Sequence, residues 1–443
     1  MEIKTFYVPG ISHFSYAVLG QKGIIIIDPK RIIRDYLTLQ KETSLPITHI
    51  LLTHTHADFI SGHVLLKEAT GAEIIFPHET NEGQSLDLGD VFLEVMKTPG
   101  HTPDHVSYLL YEKSSGEKIP FAVFTGDSLF AGDVGRPDLF GEERREELTG
   151  YLFETMGKYQ KLPDHVLVYP AHGAGSFCGK RLSQRCPSSI GYEKFHNWAL
   201  KCSDYDEFKK KLLEGMPLPP PYYFTTSRRN HQEEGLESPL EPLREISLSS
   251  LKEYLVIDLR DQACFAAFHL PGSLNIAADI HFATGAGFVL DPEDPFILVG
   301  DPEKLSYAYE TLFMMGFDRV AGTVSNAIEK WRVAASPHGS LKLLSPQTAY
   351  ELYNAGEAII IDVRTESEFE ESHISGALHL PLVSLKDQLH SLPEDKLLIF
   401  QCGHGCRGSL AASLALRAGF ENVANMAGGI MAWKASNLPL AKD

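Results

Sequence analysis

The sequence of 443 residues contains only six cysteines, and their spacing forms no disulfide framework. So few thiols in so long a chain are typical of a reducing compartment, where cysteines remain free. The sequence also lacks a basic N-terminal region, a long apolar span and a lipidation motif. We therefore expect a soluble, cytoplasmic protein.

Positive charge is scarce as well. Lysine and arginine number 40 against 58 aspartate and glutamate residues, which gives a formal net charge of −18. Nucleic acids and anionic membranes attract basic patches, so this balance argues against both as partners. The length suits two to four domains, and a hydrophobic content of 43% is enough to bury several cores. The oligomeric state is left open, a homo-oligomer included.

The first chemical motif is a histidine-rich turn. Residues 47–52 are mostly β-branched and apolar, which predicts a buried strand, and His54, His56 and Asp58 follow at intervals of two. In an extended backbone such residues point to one side, and loops held by a rigid sheet often carry ligands. A pair of histidines alone would be a weak signal for a metal site.

Three further loops strengthen the metal prediction, because each follows a strand-like run and offers a histidine or a carboxylate. They carry His101 with His105, then Asp127, then His172. Four such loops argue against coincidence. This ordered set resembles the metallo-β-lactamase superfamily, and the resemblance covers roughly the first half of the chain. It implies an αββα sandwich that collects its ligands at one sheet edge.

The resemblance also implies two metal positions, of which the second is incomplete. The residues that match the first are His54, His56, His101 and Asp127, and those that match the second are Asp58, Phe59 and His172. Phe59 has no donor atom, so we expect one metal instead of two. Two imidazoles and a carboxylate with open positions are typical of non-heme Fe(II) oxygenases, whereas a closed or two-metal site suits zinc.

The mono-iron members of this superfamily are the persulfide dioxygenases. On that resemblance His54, His101 and Asp127 hold one Fe(II) per chain and leave three positions for the persulfide and O2, with zinc as the alternative cofactor. The remaining polar residues are expected to orient waters or ligands through hydrogen bonds, with direct ligation as the alternative; they are His56, Asp58, His105 and His172.

Two other residues near these loops are candidates for sulfur chemistry. Arg136 follows the Asp127 turn, where the resemblance places an arginine that receives a carboxylate or phosphate of the substrate. A surface salt bridge to Asp138 is the alternative. Cys178 lies six residues after His172 and is a candidate sulfur relay, with a packed structural cysteine as its default interpretation.

The second half of the chain contains two copies of one module. Residues 257–260 return at 361–364, and Phe265 returns as Phe369, both at an offset of 104 residues. Each copy runs from a β-branched strand through a helical pattern to another apolar strand, which predicts a parallel sheet covered by helices. Both copies resemble rhodanese modules.

In the second copy, the strand-like residues 397–401 lead into a C-x-x-G-x-R loop and then a helical pattern, as in an active rhodanese. Glycines turn backbone N–H groups toward a sulfur, and a helix N-terminus with Arg407 favours an anion. Cys402 is therefore expected to have a lowered pKa and to accept a sulfane sulfur as the nucleophile. The rest of the loop would surround the substrate: Gly403, His404, Gly405 and Cys406.

Cys406 has two interpretations, an inert small side chain or a resolving thiol that forms a reversible disulfide with Cys402. In the first copy, Asp301 lies about where the catalytic cysteine belongs, and the glycines and the arginine are absent. We therefore expect the first copy to be an inactive spacer or docking module. Cys264 lies far from that loop and is expected to fill the core.

The expected domains follow from these motifs. They are a metallo-β-lactamase-fold domain over residues 1–215, a proline-rich linker over 216–244, an inactive rhodanese-like domain over 245–336 and an active one over 343–443. The linker includes a stiff extended connector at 216–221. The polar run 227–235 is expected to be an exposed part of it.

This order of modules resembles the CstB-type persulfide dioxygenase–sulfurtransferases of sulfide detoxification. The resemblance implies oxidation of a low-molecular-weight thiol persulfide with O2 to sulfite, and transfer of sulfur from a Cys402 persulfide to sulfite to form thiosulfate. The alternatives are a zinc-dependent thioester hydrolase like glyoxalase II fused to a sulfurtransferase, and a non-oxidising sulfur carrier. The thiol carrier is left open among glutathione, coenzyme A, bacillithiol and cysteine.

Overall fold

In a computed structural model, which describes residues 1–442 except 117, 181, 184 and 234, the chain divides into two units. The first unit comprises residues 1–219 and 223–240. The second comprises residues 220–222 and 241–443.

The first unit contains two β-sheets. The strands of the first sheet, in spatial order, are β1 (Glu2–Val8), β2 (His13–Gly20), β3 (Gly23–Ile27), β4 (Ile47–Leu51) and β5 (Glu73–Ile75). The strands of the second sheet, also in spatial order, are β6 (Ser85–Asp87), β7 (Val91–Lys97), β8 (Val106–Glu112), β9 (Ala122–Gly126), β10 (Leu167–Pro170) and β11 (Ser188–Ser189). The helices are α1 (Arg34–Thr43), α2 (His63–Thr70), α3 (Glu142–Gln160), α4 (Ile190–His196), α5 (Trp198–Lys201), α6 (Tyr205–Leu213) and α7 (Tyr222–Gln232), whose first residue belongs to the second unit.

Alternation along β3 shows how the layers form, because successive side chains of a strand point to opposite faces. Ile25 and Ile27 belong to the apolar cluster between the two sheets, together with Val95 of β7. Ile24 and Ile26 belong instead to the cluster under helices α1 and α2. Helix α3 covers the outer face of the second sheet. These four layers confirm the predicted αββα sandwich.

The second unit contains two parallel sheets. The first has the spatial order β13-β12-β14-β15, and the second has the order β16-β20-β19-β17-β18. Their strands are β12 (Leu255–Asp258), β13 (Leu274–Asn275), β14 (Phe296–Val299), β15 (Val320–Thr323), β16 (Lys342–Leu344), β17 (Ala358–Asp362), β18 (Leu378–His379), β19 (Leu397–Gln401) and β20 (Val423–Met426). Their helices are α8 (Gln262–Ala267), α9 (Phe282–Val289), α10 (Pro302–Met315), α11 (Ala327–Val333), α12 (Pro346–Asn354), α13 (Glu366–Glu371), α14 (Leu382–Gln388), α15 (Cys406–Arg417) and α16 (Gly429–Ala435). Across the described part of the chain, no helix combines the length and apolarity needed to cross a bilayer.

The repeated sequence makes repeated contacts. Both carboxylate oxygens of Asp258, at the end of β12, accept hydrogen bonds from Arg260, and those of Asp362, at the end of β17, do the same with Arg364. These charged pairs fix the turn after the first strand of each repeat. The predicted pair of parallel-sheet modules is therefore confirmed.

Two expectations about the chain are wrong. The polar run 227–235 has several exposed residues, as expected, but it is not part of a linker, because most of it lies in helix α7, which belongs to the first unit and buries Asn230. Cys264 is exposed and does not fill the core. In both cases burial depends on tertiary contacts, which cannot be inferred from the local composition.

Asn230 ties helix α7 to the loop after β4. Its Nδ2 donates to the carbonyls of His56 and Phe59, both at 2.8 Å, and its Oδ1 accepts from the Ser61 amide at 3.0 Å. We predict that Asn230→Ala lowers the free energy of unfolding by about 1–3 kcal/mol, because three buried backbone groups lose their partner.

Thermal unfolding tests this prediction, with Gln232→Ala as the matched control, since Gln232 is an exposed residue of the same helix. Equal melting temperatures for the two variants would contradict the role of Asn230.

Candidate metal centre and thiol loop

Four loops of the first unit bring polar side chains together. Each follows a strand end: the loop after β4 carries His54, the β7–β8 loop carries His101, the turn after β9 carries Asp127 and the loop after β10 carries His172. The ligand atoms of His54, His101 and Asp127 lie within 4.8 Å of one another, and all three side chains are buried. The structure therefore brings the three predicted iron ligands into one cluster.

This cluster fits a metal ion. Asp127 Oδ2 lies 3.8 Å from His54 Nε2 and 3.5 Å from His101 Nε2, and it has no hydrogen-bond partner among the residues described. A fully buried carboxylate oxygen is costly without a partner. An ion held by the three side chains would remove that cost.

Hydrogen bonds present the Nε2 atoms of both histidines to the cluster. Thr53 Oγ1 donates to Asp28 Oδ2, so it accepts from His54 Nδ1 at 2.9 Å. His101 Nδ1 donates to the backbone carbonyl of Arg136 at 2.9 Å. With the proton on Nδ1, each ring offers the Nε2 lone pair that metals bind.

Burial also favours the metal-binding form of these groups. It lowers the pKa of His54 well below its ordinary value and lowers that of His101, so both imidazoles are neutral at physiological pH. Burial alone would raise the pKa of Asp127, but its interactions with the neighbouring histidines, above all His172, outweigh burial and hold that pKa well below its ordinary value. The cluster therefore offers two neutral nitrogens and one carboxylate.

A second buried cluster lies beside the first. It consists of Asp58, His172 and Cys178, whose ligand atoms lie within 4.8 Å of one another. His172 Nδ1 hydrogen-bonds to Asp127 Oδ1, and His172 Nε2 lies near Asp58 Oδ2, both at 2.8 Å. His172 thus connects the two clusters, and the candidate relay Cys178 lies in the second.

The remaining predicted histidines have different surroundings. His105 Nε2 accepts from the Asp127 amide at 3.1 Å, and His105 Nδ1 bonds to Thr98 Oγ1, so this residue positions Asp127. His56 Nε2 lies 3.1 Å from Asp28 Oδ1. The buried ring of Phe59 packs against that of His56, at 4.4 Å between centroids, and offers no ligand atom.

Arg136 does not have the role that the sequence suggested. Its guanidinium is fully buried, bonds to both carboxylate oxygens of Asp138 at 2.7 Å, and donates to the carbonyls of Phe177 and Pro217. The expectation of a substrate anion here is wrong, because the charge is already paired and has no exposed surface. The salt bridge with Asp138 exists, but Arg136 is not on the surface.

Asp28 is a site residue that the sequence reasoning missed. It is buried at the end of β3, bonds to Thr53 through both carboxylate oxygens at 2.8 Å, and has a φ of +50°. A non-glycine residue in this region is strained, and such strain concentrates at functional sites. Its position could have identified it from the sequence, because a carboxylate directly after a run of four isoleucines lies at the end of a buried strand.

A cavity of about 440 Å³ lies next to the first cluster and touches His101. Helix α7 supplies one wall, which includes Tyr223 and Phe224, and Arg228 and His231 are exposed residues of the same wall. Its size is that of a small-molecule site. This wall is not evident from the sequence, because the residues of α7 have the composition of a linker.

The thiol loop lies in the second unit, between β19 and α15. Cys402 is buried, and its sulfur accepts a hydrogen bond from the Gly405 amide at 3.1 Å. Gly405 has a φ of +99°, the left-handed region that favours glycine, which turns its N–H toward the sulfur. The amide of Ile430 at the start of α16 donates to the Cys402 carbonyl at 2.8 Å and fixes the loop.

Arg407 is paired more fully than expected. Its two terminal nitrogens donate to the two carboxylate oxygens of Glu368, both at 2.7 Å. Burial alone would raise the pKa of Glu368, but Arg407 outweighs it and lowers that pKa to about 2. Glu368 thus balances the guanidinium charge, and the Gly405 amide just before α15 donates a hydrogen bond to the Cys402 sulfur.

The first rhodanese-like copy contacts the thiol loop of the second. Asp279 Oδ2 accepts a hydrogen bond from the Cys406 thiol at 3.4 Å, and Gln262 Nε2 donates to the His404 carbonyl at 3.4 Å. Burial and the nearby Asp279 raise the pKa of Cys406 to about 12. A protonated thiol is a poor nucleophile, which favours the inert interpretation of Cys406.

We predict that Cys406→Ser keeps most of the sulfur transfer from thiosulfate to cyanide, because a hydroxyl also donates a hydrogen bond to Asp279. Cys402→Ser is predicted to abolish it, because the nucleophile is lost. The assay is thiocyanate formation. A disulfide between Cys402 and Cys406 after mild peroxide, detected by mass spectrometry, would contradict the inert role.

Comparisons with known proteins find similarity to both kinds of module. The family model of the rhodanese-like domain matches residues 246–334 and 345–436. The crystal structure of a metallo-beta-lactamase from Staphylococcus aureus is 32% identical, with a TM-score of 0.67, and the match covers 73% of this chain and 98% of that chain.

Curated relatives match a smaller part of this chain. Hydroxyacylglutathione hydrolases from Erythrobacter litoralis and Rhodospirillum rubrum are 32% and 34% identical over 31% and 33% of this chain. The chain spans 54% and 56% of the length of these two relatives. From the fold, the ligand loops and the structural match, which covers 98% of the Staphylococcus aureus chain, this chain belongs to the metallo-β-lactamase-fold family and carries two rhodanese-like domains after that fold.

Proposed function

We propose that this protein is a non-heme Fe(II) persulfide dioxygenase coupled to a rhodanese sulfurtransferase, of the CstB type that acts in sulfide detoxification. The observation that supports the proposal is that one chain contains both a candidate metal site and a cysteine loop suited to sulfur transfer. His54, His101 and Asp127 form a buried cluster of two imidazoles and one carboxylate, and Cys402 lies in a loop built around its sulfur.

The first reaction takes place at the metal cluster. One persulfide RSSH, one O2 and one water give one thiol RSH, one sulfite and two protons. Iron(II), when bound by the three residues, would mediate the transfer of electrons from the persulfide sulfur to O2. The protein residues hold the ligand nitrogens in place, since Thr53 and the Arg136 carbonyl fix both imidazole rings.

The cavity beside His101 is the proposed binding site of the persulfide. Tyr223 and Phe224 cover the apolar part of the thiol carrier and exclude water, and the exposed Arg228 attracts its carboxylate or phosphate groups. This arrangement orients the terminal sulfur toward the metal cluster, which raises the rate by proximity.

The second reaction uses Cys402. Its thiolate attacks the terminal sulfur of a persulfide and releases the thiol, which leaves an enzyme persulfide. Sulfite then attacks that outer sulfur, and thiosulfate leaves as the Cys402 thiolate is restored. The Gly405 amide, 3.1 Å from the sulfur, stabilises the thiolate in both steps. Because one chain carries both sites, sulfite forms at a high local concentration.

A zinc-dependent thioester hydrolase fused to a sulfurtransferase is the second candidate. Two observations favour it: the relatives named hydroxyacylglutathione hydrolase, and the second cluster of donors beside Asp127. In that reaction zinc activates water and no oxygen is consumed.

Two variants separate the proposed reactions. We predict that His54→Ala loses bound iron and persulfide-dependent oxygen uptake, because one of three ligands is gone, but keeps sulfur transfer from thiosulfate to cyanide. Cys402→Ser is predicted to do the reverse and to accumulate sulfite without thiosulfate. An oxygen electrode and chromatography of sulfite and thiosulfate measure both.

If His54→Ala keeps the oxygen uptake of the unmodified protein, the metal cluster is not the site of oxidation. If the unmodified protein hydrolyses thioesters with zinc and consumes no oxygen, the hydrolase is the better description.

A further inference from the structure

We infer that Gln262 of the first rhodanese-like copy is a positioning residue for the thiol loop of the second copy, because it orients the peptide group whose N–H faces the Cys402 sulfur. The first copy would then contribute to the sulfur-transfer site and not merely act as a spacer. The inference rests on the sulfur-transfer half of the proposed function, and it adds to that half a residue from the other copy.

The peptide group between His404 and Gly405 makes both contacts. Its N–H, which belongs to Gly405, donates to Cys402 Sγ at 3.1 Å, and its carbonyl, which belongs to His404, accepts from Gln262 Nε2 at 3.4 Å. A trans peptide group is planar, so its C=O and N–H point in opposite directions and turn together. A donor that holds the carbonyl on one side therefore keeps the N–H directed at the sulfur on the other.

The amide of Gln262 is itself held in place. Its Oε1 accepts from Nδ2 of the buried Asn425 at 2.8 Å, and the same Nδ2 donates to the Gly405 carbonyl at 3.1 Å. The Gln262 amide also packs so closely on Gly405 that a Cβ at this position would collide with it. Two side-chain amides, one from each copy, thus hold two consecutive carbonyls of the thiol loop.

Hydrogen bonds along helix α15 fix the first copy beside this loop. Ser409 Oγ donates to Asn275 Oδ1 at 2.6 Å, and Ser413 Oγ accepts from the Asn275 amide at 3.1 Å. Arg417 donates to the Gly272 carbonyl at 2.9 Å. The three helix residues follow one another at intervals of four, so they lie on one face of α15. Because α15 begins directly after the thiol loop, these bonds also fix the distance between the first copy and the loop.

Alkylation of Cys402 in the full-length protein tests the role of Gln262. In Gln262→Met the side chain keeps its length but forms neither hydrogen bond, so the peptide group is free to turn its N–H away from the sulfur. We expect the rate of Cys402 alkylation by iodoacetamide at pH 7 to fall about 3- to 10-fold, as for the loss of one hydrogen bond to the thiolate. At pH 10, where a thiol ionises without such help, the rates of the variant and the unmodified protein should converge. Mass spectrometry of the Cys402 peptide measures both rates.

Gln347→Met is the matched control, because Gln347 is an exposed glutamine of helix α12 in the same unit and bonds to Glu351 of its own helix. Its alkylation rates should equal those of the unmodified protein at both pH values. Circular dichroism checks that each variant is folded.

An unchanged rate at pH 7 in Gln262→Met would overturn the inference, because the peptide group would then keep its orientation without Gln262. An equal loss at pH 7 and pH 10 would also overturn it, because a general disturbance of the loop lowers access to Cys402 at any pH. Alkylation requires only the thiolate. If the unmodified protein forms no thiocyanate from thiosulfate and cyanide, the sulfur-transfer function fails while the alkylation result stands, so the two failures are distinguishable.

Discussion

The carboxylate of Asp127 divides its two oxygens between two groups of donors. Oδ2 faces His54 and His101, and Oδ1 is bonded to His172. The fold supports this one side chain from several directions, since His105 bonds to its amide and the preceding Gly126 has a φ of +49° with no room for a Cβ beside Thr53.

Much of this edge was predictable from the sequence, because each ligand loop follows a short apolar strand and the loops recur in one order. His54, His101 and Asp127 needed only this pattern to be selected. Cys178 and Asp28 needed tertiary contacts. Their partners lie far away in the chain, so neither spacing nor composition indicates that Cys178 reaches His172 or that Asp28 supports Thr53.

The failed expectations have a common physical cause. Arg136 has the position of a substrate-binding residue, but its charge is used inside the protein by Asp138, and its backbone carbonyl is the part that serves the site. Helix α7 has the composition of a linker, yet Asn230 satisfies three buried backbone groups. In the second unit, Asp279 belongs to the copy that was expected to be a spacer or docking module, and it contacts the thiol loop of the other copy. Buried polar groups find partners wherever the fold provides them.

Phe59 remains important for the functional interpretation, but it does not by itself decide between the two reactions. Phe59 has no donor atom, which favours a single iron, but Asp58, His172 and Cys178 still form a second cluster of donor atoms. The number of donors alone therefore does not separate oxidation from hydrolysis. The most direct measurement is anaerobic purification with metal quantification, followed by oxygen consumption on addition of a persulfide. The account predicts about one catalytic iron per chain and one O2 consumed per sulfite formed. Zinc alone at full occupancy, with thioester hydrolysis and no oxygen uptake, would contradict it.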